Sequence, residues 1–150
     1  MTKSTTSFLF PDLNVWLALS VQSHIHHRAA ARWLETLPGS QRLCFCRFTQ
    51  LGVLRLLTTS QLMGEDEVLT QVQAWGVYDE WLSDERVVFI QEPLNLEKTF
   101  RGLTQLRRAA PKDWADSYLI SFAQAAGLQL VTFDKAVSHR DVTAAHLPME

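Results

Sequence analysis

The feature that most constrains the fold of this sequence is a regular alternation of short apolar runs with longer segments of helical period. The short runs predict buried strands, and the longer segments, which repeat apolar residues every three or four positions, predict helices. Parallel strands need long crossover connections, and helices usually fill them. The alternation therefore predicts an α/β fold with a central parallel sheet of four to five strands and helices on both faces.

The apolar pattern also gives the approximate bounds of these elements. Pro38-Gly39 and Gly127 are helix stop signals. The predicted strands cover residues 7–10, 43–45, 86–90 and 128–133, and the tail through 142 is a weak candidate for a fifth strand. The predicted helices cover residues 13–20, 27–37, 49–58, 65–82, 94–110 and 114–126.

The chain has the length and composition of one ordinary globular domain. Its 150 residues are 47% apolar and 20% charged, and no linker rich in Gly, Ser or Pro divides them. We expect a single domain over residues 1–150, with residues 1–6 frayed. The longest apolar run, residues 15–19, is far shorter than the roughly 18 to 20 residues that cross a bilayer. The start is polar and unlike a secretory signal, so we expect a cytoplasmic protein with no membrane partner.

The charges are unevenly distributed along the chain. The net charge of -2 excludes the bulk positive charge that by itself indicates a nucleic-acid binder. However, residues 65–85 contain seven acids and no Lys or Arg, whereas residues 98–112 contain five bases and no acid. Both runs also fit solvated helix faces. The acidic run with its tryptophans would make a surface for a protein partner. The basic run means that an anionic partner, such as a nucleic acid, is not excluded.

Three acidic residues are predicted to meet at one edge of the sheet. Asp12 follows the first strand, Asp134 follows the fourth, and Asp116 lies in the first turn of the helix that leads into the fourth strand. In open α/β sheets, ligands bind beyond the carboxyl ends of the strands. Each acid also has a structural explanation, as a helix cap, a helix-dipole carboxylate or a turn residue. Their shared edge favours a functional site.

Clustered carboxylates repel one another and have raised pKa values unless a cation compensates for their charge. Mg²⁺ and Mn²⁺ prefer oxygen ligands and keep several waters, which leaves room for a substrate phosphate. An ion held in this way can orient a phosphodiester and activate an attacking water. The acidic edge therefore indicates phosphoryl chemistry.

These segments also resemble the motifs of a known family. Asp12-Leu13-Asn14, the helical run 116–123 and the segment 127–134 resemble the motifs of PIN-domain ribonucleases, and within them those of the VapC toxins of toxin–antitoxin pairs. The resemblance extends over residues 8–135. It implies a PIN-like three-layer fold and a Mg²⁺- or Mn²⁺-dependent endoribonuclease toxin. It also implies a homodimer and an antitoxin protein that keeps the toxin inactive.

The resemblance assigns roles by position. Asp12, Asp116 and Asp134 match the family's metal-binding acids, and Asn14 and Thr132 match the polar residues that orient them. The expected substrate is RNA, hydrolysed at its phosphodiesters by a metal-activated water. Our candidates for contacts with the RNA backbone are basic side chains on two predicted helices, namely Arg55, Arg101, Arg107 and Arg108.

One position departs from the family pattern. The family commonly has Thr-x-x-Glu at the start of the helix after the second strand, whereas this chain has Thr49-Gln50-Leu51-Gly52. The fourth carboxylate is therefore missing at Gly52. Asp113 is a possible substitute, because it lies one helical turn before Asp116, and the amide oxygen of Gln50 is another. The loss affects the expected metal affinity and rate more than the expected fold.

Two alternatives to a ribonuclease stay open. One is a catalytically weakened PIN-fold binding module, consistent with the loss at Gly52. The other is a metal-dependent phosphatase or nuclease of another α/β family, although no acid lies two residues after Asp12. The tryptophans fall at apolar helix positions, and we interpret them as core or interface anchors rather than platforms for nucleic-acid bases. They include Trp16, Trp33, Trp75 and Trp114.

Overall fold

A computed structural model describes residues 8–148 of the chain, so the expected fraying of residues 1–6 lies outside the described residues. Five parallel strands form one sheet in the order β3-β2-β1-β4-β5. The strands are β1 Phe8–Pro11, β2 Arg42–Phe45, β3 Val87–Phe89, β4 Gln129–Thr132 and β5 Ala145–His146. The predicted α/β fold with a parallel sheet is confirmed.

Eight helices connect and cover the strands within the described part of the chain. They are α1 Leu13–Ser20, α2 His27–Thr36, α3 Arg47–Leu57, α4 Ser60–Met63, α5 Gln71–Ser83, α6 Leu96–Leu103, α7 Asp113–Ala126 and α8 Lys135–Arg140. Since side chains alternate across a strand, Leu9 packs in one core cluster with α1, α3 and α5, whereas its neighbour Phe10 packs in the other with α6 and α7. The sheet is thus the middle of three layers. No helix among the described residues is long and apolar enough to span a membrane.

The acidic helix begins later than predicted. Residues 65–70 form turns and irregular structure, and α5 starts only at Gln71. The hydroxyl of Thr70 accepts a hydrogen bond from the backbone of Gln73, and the Gln73 side chain accepts one from the backbone of Thr70. This capping box fixes the start of the helix. Three of the seven acids therefore lie in the loop before α5, and two more follow the end of the helix.

The basic helix is shorter than predicted. It runs from Leu96 to Leu103, where the hydroxyl of Thr104 donates to the backbone carbonyl of Phe100. The helix predicted over 94–110 is therefore wrong beyond 103, and Arg107 and Arg108 lie in an irregular segment.

The end of the chain also differs from the prediction. The short helix α8 was not predicted, and it is followed by a turn around Asp141 that includes Val142. The fifth strand, β5, comes after this turn and pairs with β4.

Candidate active site

Asp12 lies where β1 ends and α1 begins. Its backbone N–H donates to the carbonyl of Val131 at 2.9 Å, which joins this end of β1 to β4. Its Oδ1 accepts a hydrogen bond of 3.0 Å from the backbone of Val15, so the side chain caps α1. Its Oδ2 accepts a hydrogen bond from the hydroxyl of Thr132. The structural role and the candidate functional role therefore belong to the same carboxylate.

Thr132 connects the ends of the two central strands. It is completely buried at the end of β4, and its hydroxyl accepts a hydrogen bond of 2.9 Å from the backbone of Asp134 while it donates to Asp12. Asp134 is exposed, and its Oδ1 caps α8 by accepting from Ala136 at 2.8 Å and Val137 at 3.3 Å. Thr132 therefore fixes Asp12 directly and orients the backbone that carries Asp134.

Burial and mutual repulsion raise the pKa values of two of the acids. Asp12 is only 8% exposed, and this burial raises its pKa to about 6, although the hydrogen bond from Thr132 opposes the shift. The charge of Asp116 raises the pKa of Asp12 further. Burial also raises the pKa of Asp116, followed by the charge of Asp134. The negative charge of Asp116 therefore interacts with those of both other carboxylates, as expected for acids at one edge of the sheet.

A second polar group adjoins Asp116 on the first turn of α7. The guanidinium of Arg140 donates to Asp113 Oδ1 at 3.1 Å and to Ser117 Oγ at 2.7 Å, and the Ser117 hydroxyl donates to Asp113 Oδ2 at 2.9 Å. Arg140 also opposes the rise in the pKa of Asp116, while Asp113 adds to it. Sequence reasoning missed Arg140 and Ser117 as neighbours of the site, because no local pattern relates residues 23 positions apart.

The residue types at this edge fit a divalent ion that keeps most of its waters. Among residues 8–148, no three His, Cys, Asp or Glu side chains are grouped so that they could hold one metal ion, so the chain provides no complete protein cage. Mg²⁺ is often bound by only one or two carboxylates together with waters and substrate phosphate. A buried Asp12 with a raised pKa, beside a second carboxylate, fits such a site because an added cation would relieve both burial and repulsion.

At position 52 the space for the missing acid is filled. A Cβ on Gly52 would lie 2.8 Å from both Cδ atoms of Leu13, which is closer than packed side chains approach. The amide oxygen of Gln50 accepts a hydrogen bond from Arg47 and its side chain also bonds to Tyr78, so its proposed contribution to the site stays a prediction. The charge of Asp113, in contrast, does act on Asp116 and helps to raise its pKa.

The other predicted site residues are more dispersed. Asn14 is exposed and makes no side-chain hydrogen bond within the described part of the chain, although its backbone hydrogen bond helps to lower the pKa of Asp12. Arg55 is exposed and lines an apolar groove of 540 Å³ with Leu13 and Gly52. Arg101 pairs with Glu97 at 3.0 Å. The predicted functions of Asn14 and of the arginines stay predictions.

Comparison with known proteins gives concordant matches. Residues 9–142 match the family model of the PIN domain. Ribonuclease VapC41 of Mycobacterium tuberculosis is 42% identical over 131 residues, which cover 85% of this chain and 90% of that protein. Mycobacterium tuberculosis VapC20, a sarcin-ricin loop cleaving toxin, has a TM-score of 0.66 at 17% identity, with 95% of this chain and 100% of that chain covered. VapBC2 from Rickettsia felis has a TM-score of 0.66 at 14% identity, with 94% and 99% covered.

Proposed function

This chain belongs to the PIN-domain family, and we propose that it is a Mg²⁺- or Mn²⁺-dependent endoribonuclease toxin of a toxin–antitoxin pair. The observation that supports the proposal is that Thr132 hydrogen-bonds to Asp12 and to the backbone of Asp134 at the carboxyl edge of β1 and β4, while the charge of Asp116 raises the pKa of Asp12. The 42% identity to a protein named as a VapC ribonuclease supports the same activity.

In this proposal one or two of the carboxylates of Asp12, Asp116 and Asp134 bind the ion directly, the ion keeps most of its waters, and Thr132 keeps Asp12 in place. When bound, the divalent ion would polarise the scissile phosphodiester and promote ionisation of an attacking water. Thr132 occupies one lone-pair direction of Asp12 Oδ2, and Val15 occupies one of Oδ1. The backbone of Asn14 also donates to this carboxylate, and since a carboxylate has about four acceptor positions, one is left for an ion. The pairing of Asp113 with Arg140 limits the negative charge that an RNA phosphate would meet near Asp116.

The family also suggests the partners. We propose RNA as the substrate, an antitoxin protein as the inhibitor and a homodimer as the assembly, with residues 1–150 acting as one domain. The basic side chains of Arg55, Arg101, Arg107 and Arg108 are proposed contacts to the RNA backbone. Both divalent ions suit the carboxylate donors, so the choice between Mg²⁺ and Mn²⁺ is left to experiment.

Substitution of the acids tests the catalytic proposal. We expect Asp12→Asn and Asp116→Asn each to lower Mg²⁺-dependent RNA cleavage by about 100-fold or more, because each removes a charge that holds the ion. The matched control is Asp66→Asn, since Asp66 is an exposed acid in the loop before α5, and it should cleave like the unaltered protein. Chelation of the metal should abolish cleavage. Full cleavage by either active-site variant would overturn the mechanism.

The filled position at Gly52 favours one other function, a PIN fold that binds RNA or protein without catalysis. Gly52 carries no carboxylate, and the methyl groups of Leu13 lie where the Cβ of an acid would be, so one negative charge of the family pattern is absent from the metal site. Titration calorimetry with Mn²⁺ separates the two functions, since a catalytic site should show saturable binding that Asp12→Asn abolishes. Cleavage of small phosphate esters but not of RNA would instead favour a phosphatase of another α/β family.

A further inference from the structure

Trp114 is exposed at the start of α7, so the predicted core position is wrong, and the predicted interface position stays a prediction. Its helical spacing places it on an apolar arc with Tyr118 and Phe122, yet it is 57% exposed whereas Phe122 is completely buried. One side of the indole meets Phe100, with ring centroids 6.0 Å apart at 58°. Phe100 in turn contacts Tyr118. The indole is thus supported by aromatic neighbours while much of its surface faces solvent.

Two surface depressions share Trp114 as a wall. One measures 310 Å³ and lies against α6, with Phe100, Arg101 and Thr104 in its lining. The other measures 110 Å³ and is lined by Arg108, Asp113 and the start of the irregular segment. The indole therefore separates two hollows, each with an arginine at its margin.

The second hollow adjoins the acidic edge. At 100° per residue, Asp113 lies between Trp114 and Asp116 on the circumference of the first turn of α7. Asp113 lines the hollow and also pairs with Arg140, whose charge acts on Asp116. Trp114 and Asp116 lie about 160° apart on this turn, so a path from the indole to Asp116 runs over the N-terminal end of α7 past Asp113. A single strand that followed this path would place one nucleotide at the acids and another, further along the same strand, at Trp114.

The charges beside Trp114 favour a nucleic acid over a protein as its partner. Arg107, Arg108 and Lys112 are all exposed, and none forms an ion pair within the described part of the chain. The one acid that lines the smaller hollow, Asp113, is paired with Arg140. An exposed aromatic ring with unpaired cations around it is the typical arrangement for single-stranded nucleic acid, in which bases stack on the ring and phosphates meet the cations.

We propose that Trp114 is a stacking platform for a nucleobase of the single-stranded RNA whose scissile phosphodiester lies at the acids, with Arg108 contacting the phosphate that adjoins the stacked base. The proposal rests on the ribonuclease function proposed above and assigns a substrate-binding role to a residue outside the acidic group. Stacking accepts any base, so it contributes affinity and position more than sequence choice.

Binding to a labelled single-stranded oligoadenylate in metal-free buffer tests the platform without requiring cleavage. We expect Trp114→Ala to weaken binding by about 5- to 100-fold and Trp114→Phe to retain most of the affinity, because a phenyl ring still stacks. The matched control is Val72→Ala, since Val72 is an apolar side chain on α5 that is 82% exposed. It should bind the oligoadenylate normally. Unchanged binding by Trp114→Ala, or an equal loss in Val72→Ala, overturns the proposal.

A second comparison separates stacking from a general effect on the fold. An oligoadenylate with a single abasic site should bind the unaltered protein more weakly when that site falls at the platform, and Trp114→Ala should not respond to the same change. If Trp114→Ala responds equally, or if it alters the oligomeric state instead of RNA binding, Trp114 is an interface residue. Failure of the ribonuclease function is recognised independently, as absence of cleavage by a protein that still binds the oligoadenylate through Trp114.

Discussion

At the scale of single residues, Gly52 and Leu13 form a complementary pair. The helix α3 carries glycine where a side chain would meet Leu13, and Leu13 lies directly after the acid that ends β1. Glycine in a helix interior is about 1 kcal/mol less favourable than alanine. Gly52 therefore lowers the stability of α3, but it allows α1 and α3 to pack closely. A glutamate at position 52 would require Leu13 to move.

This pairing predicts non-additive stabilities. We expect Gly52→Ala alone to be less favourable for the free energy of unfolding than the same change in a Leu13→Ala background, because displacement of the Leu13 methyl groups offsets the gain in helix propensity of about 1 kcal/mol. In a Leu13→Ala background the same change should be neutral or stabilising by up to about 1 kcal/mol. Urea denaturation measures both values. Gly76→Ala is the control, since a Cβ there meets nothing within 4 Å, and it should stabilise both backgrounds. Equal effects of Gly52→Ala in the two backgrounds would contradict the pairing.

Some of the site residues could be predicted from the sequence, and others could not. Asp12, Asp116 and Asp134 were predictable as neighbours because the carboxyl ends of parallel strands share an edge. Thr132 was named through the family resemblance alone. Its direct hydrogen bond to Asp12 spans 120 positions, and it depends on the adjacency of β1 and β4, which the apolar pattern does not determine.

At the scale of elements, Arg140 connects the end of α8 to the start of α7. Its side chain is 33% exposed and that of Asp113 is 21% exposed, and both bond to the buried Ser117. Since Asp134 caps the start of α8 and Asp116 lies on α7, this contact joins the two helices that carry two of the candidate metal ligands.

Removal of this contact should cost more than removal of an exposed ion pair. We expect Arg140→Met to lower the free energy of unfolding by about 1–2 kcal/mol, because it leaves the polar atoms of Ser117 and Asp113 partly desolvated without their charged partner. Arg101→Met breaks the Arg101–Glu97 pair, whose side chains are 74% and 76% exposed, and should change stability by less than about 0.5 kcal/mol. Chemical denaturation of the two variants compares these effects. Equal losses of unfolding free energy in the two variants would show that the contacts of Arg140 between α7 and α8 stabilise the protein no more than an exposed ion pair does.

The helix α8 and the end of α6 were not predicted correctly, and the two errors have the same physical cause. Apolar periodicity located β1, β2, β4 and α7 because these elements bury a large share of their residues. The helix α8 has Val137 as its only buried residue, and it depends on the cap by Asp134 instead of on an apolar face. The end of α6 depends on hydrogen bonds of Thr104, which periodicity does not detect.

At the scale of the whole molecule, the burial of Asp12 links folding to pH. The pKa of Asp12 rises from its ordinary value of 3.8 to about 6. Between these two pH values Asp12 is therefore largely protonated in the folded protein and largely ionised in the unfolded chain. The contribution of Asp12 to stability is therefore fully present below about pH 3.8 and is lost as the pH rises through about 6. The difference corresponds to about 3 kcal/mol. The raised pKa of Asp116 acts in the same direction.

This linkage predicts a pH-dependent difference between two variants. In metal-free buffer, the stability of the unaltered protein relative to Asp12→Asn should fall by about 3 kcal/mol between about pH 4 and about pH 7. Denaturation curves across this range measure the difference, and contributions from other groups, such as the lowered pKa of His24, cancel in it. Asp66→Asn should follow the unaltered protein at every pH. A difference that does not vary with pH would mean that Asp12 is ionised normally in the fold.

The hydrogen bond between Thr132 and Asp12 also has a consequence for the synthesis of the chain. A ribosome releases β1 and its carboxylate first, but the hydroxyl that fixes this carboxylate arrives 120 residues later. Asp116 and Asp134 likewise follow 104 and 122 residues after Asp12. The growing polypeptide therefore lacks the complete acidic edge until residue 134 has been added. For a toxin of the proposed kind, the candidate metal site can form only after β4 has been synthesised.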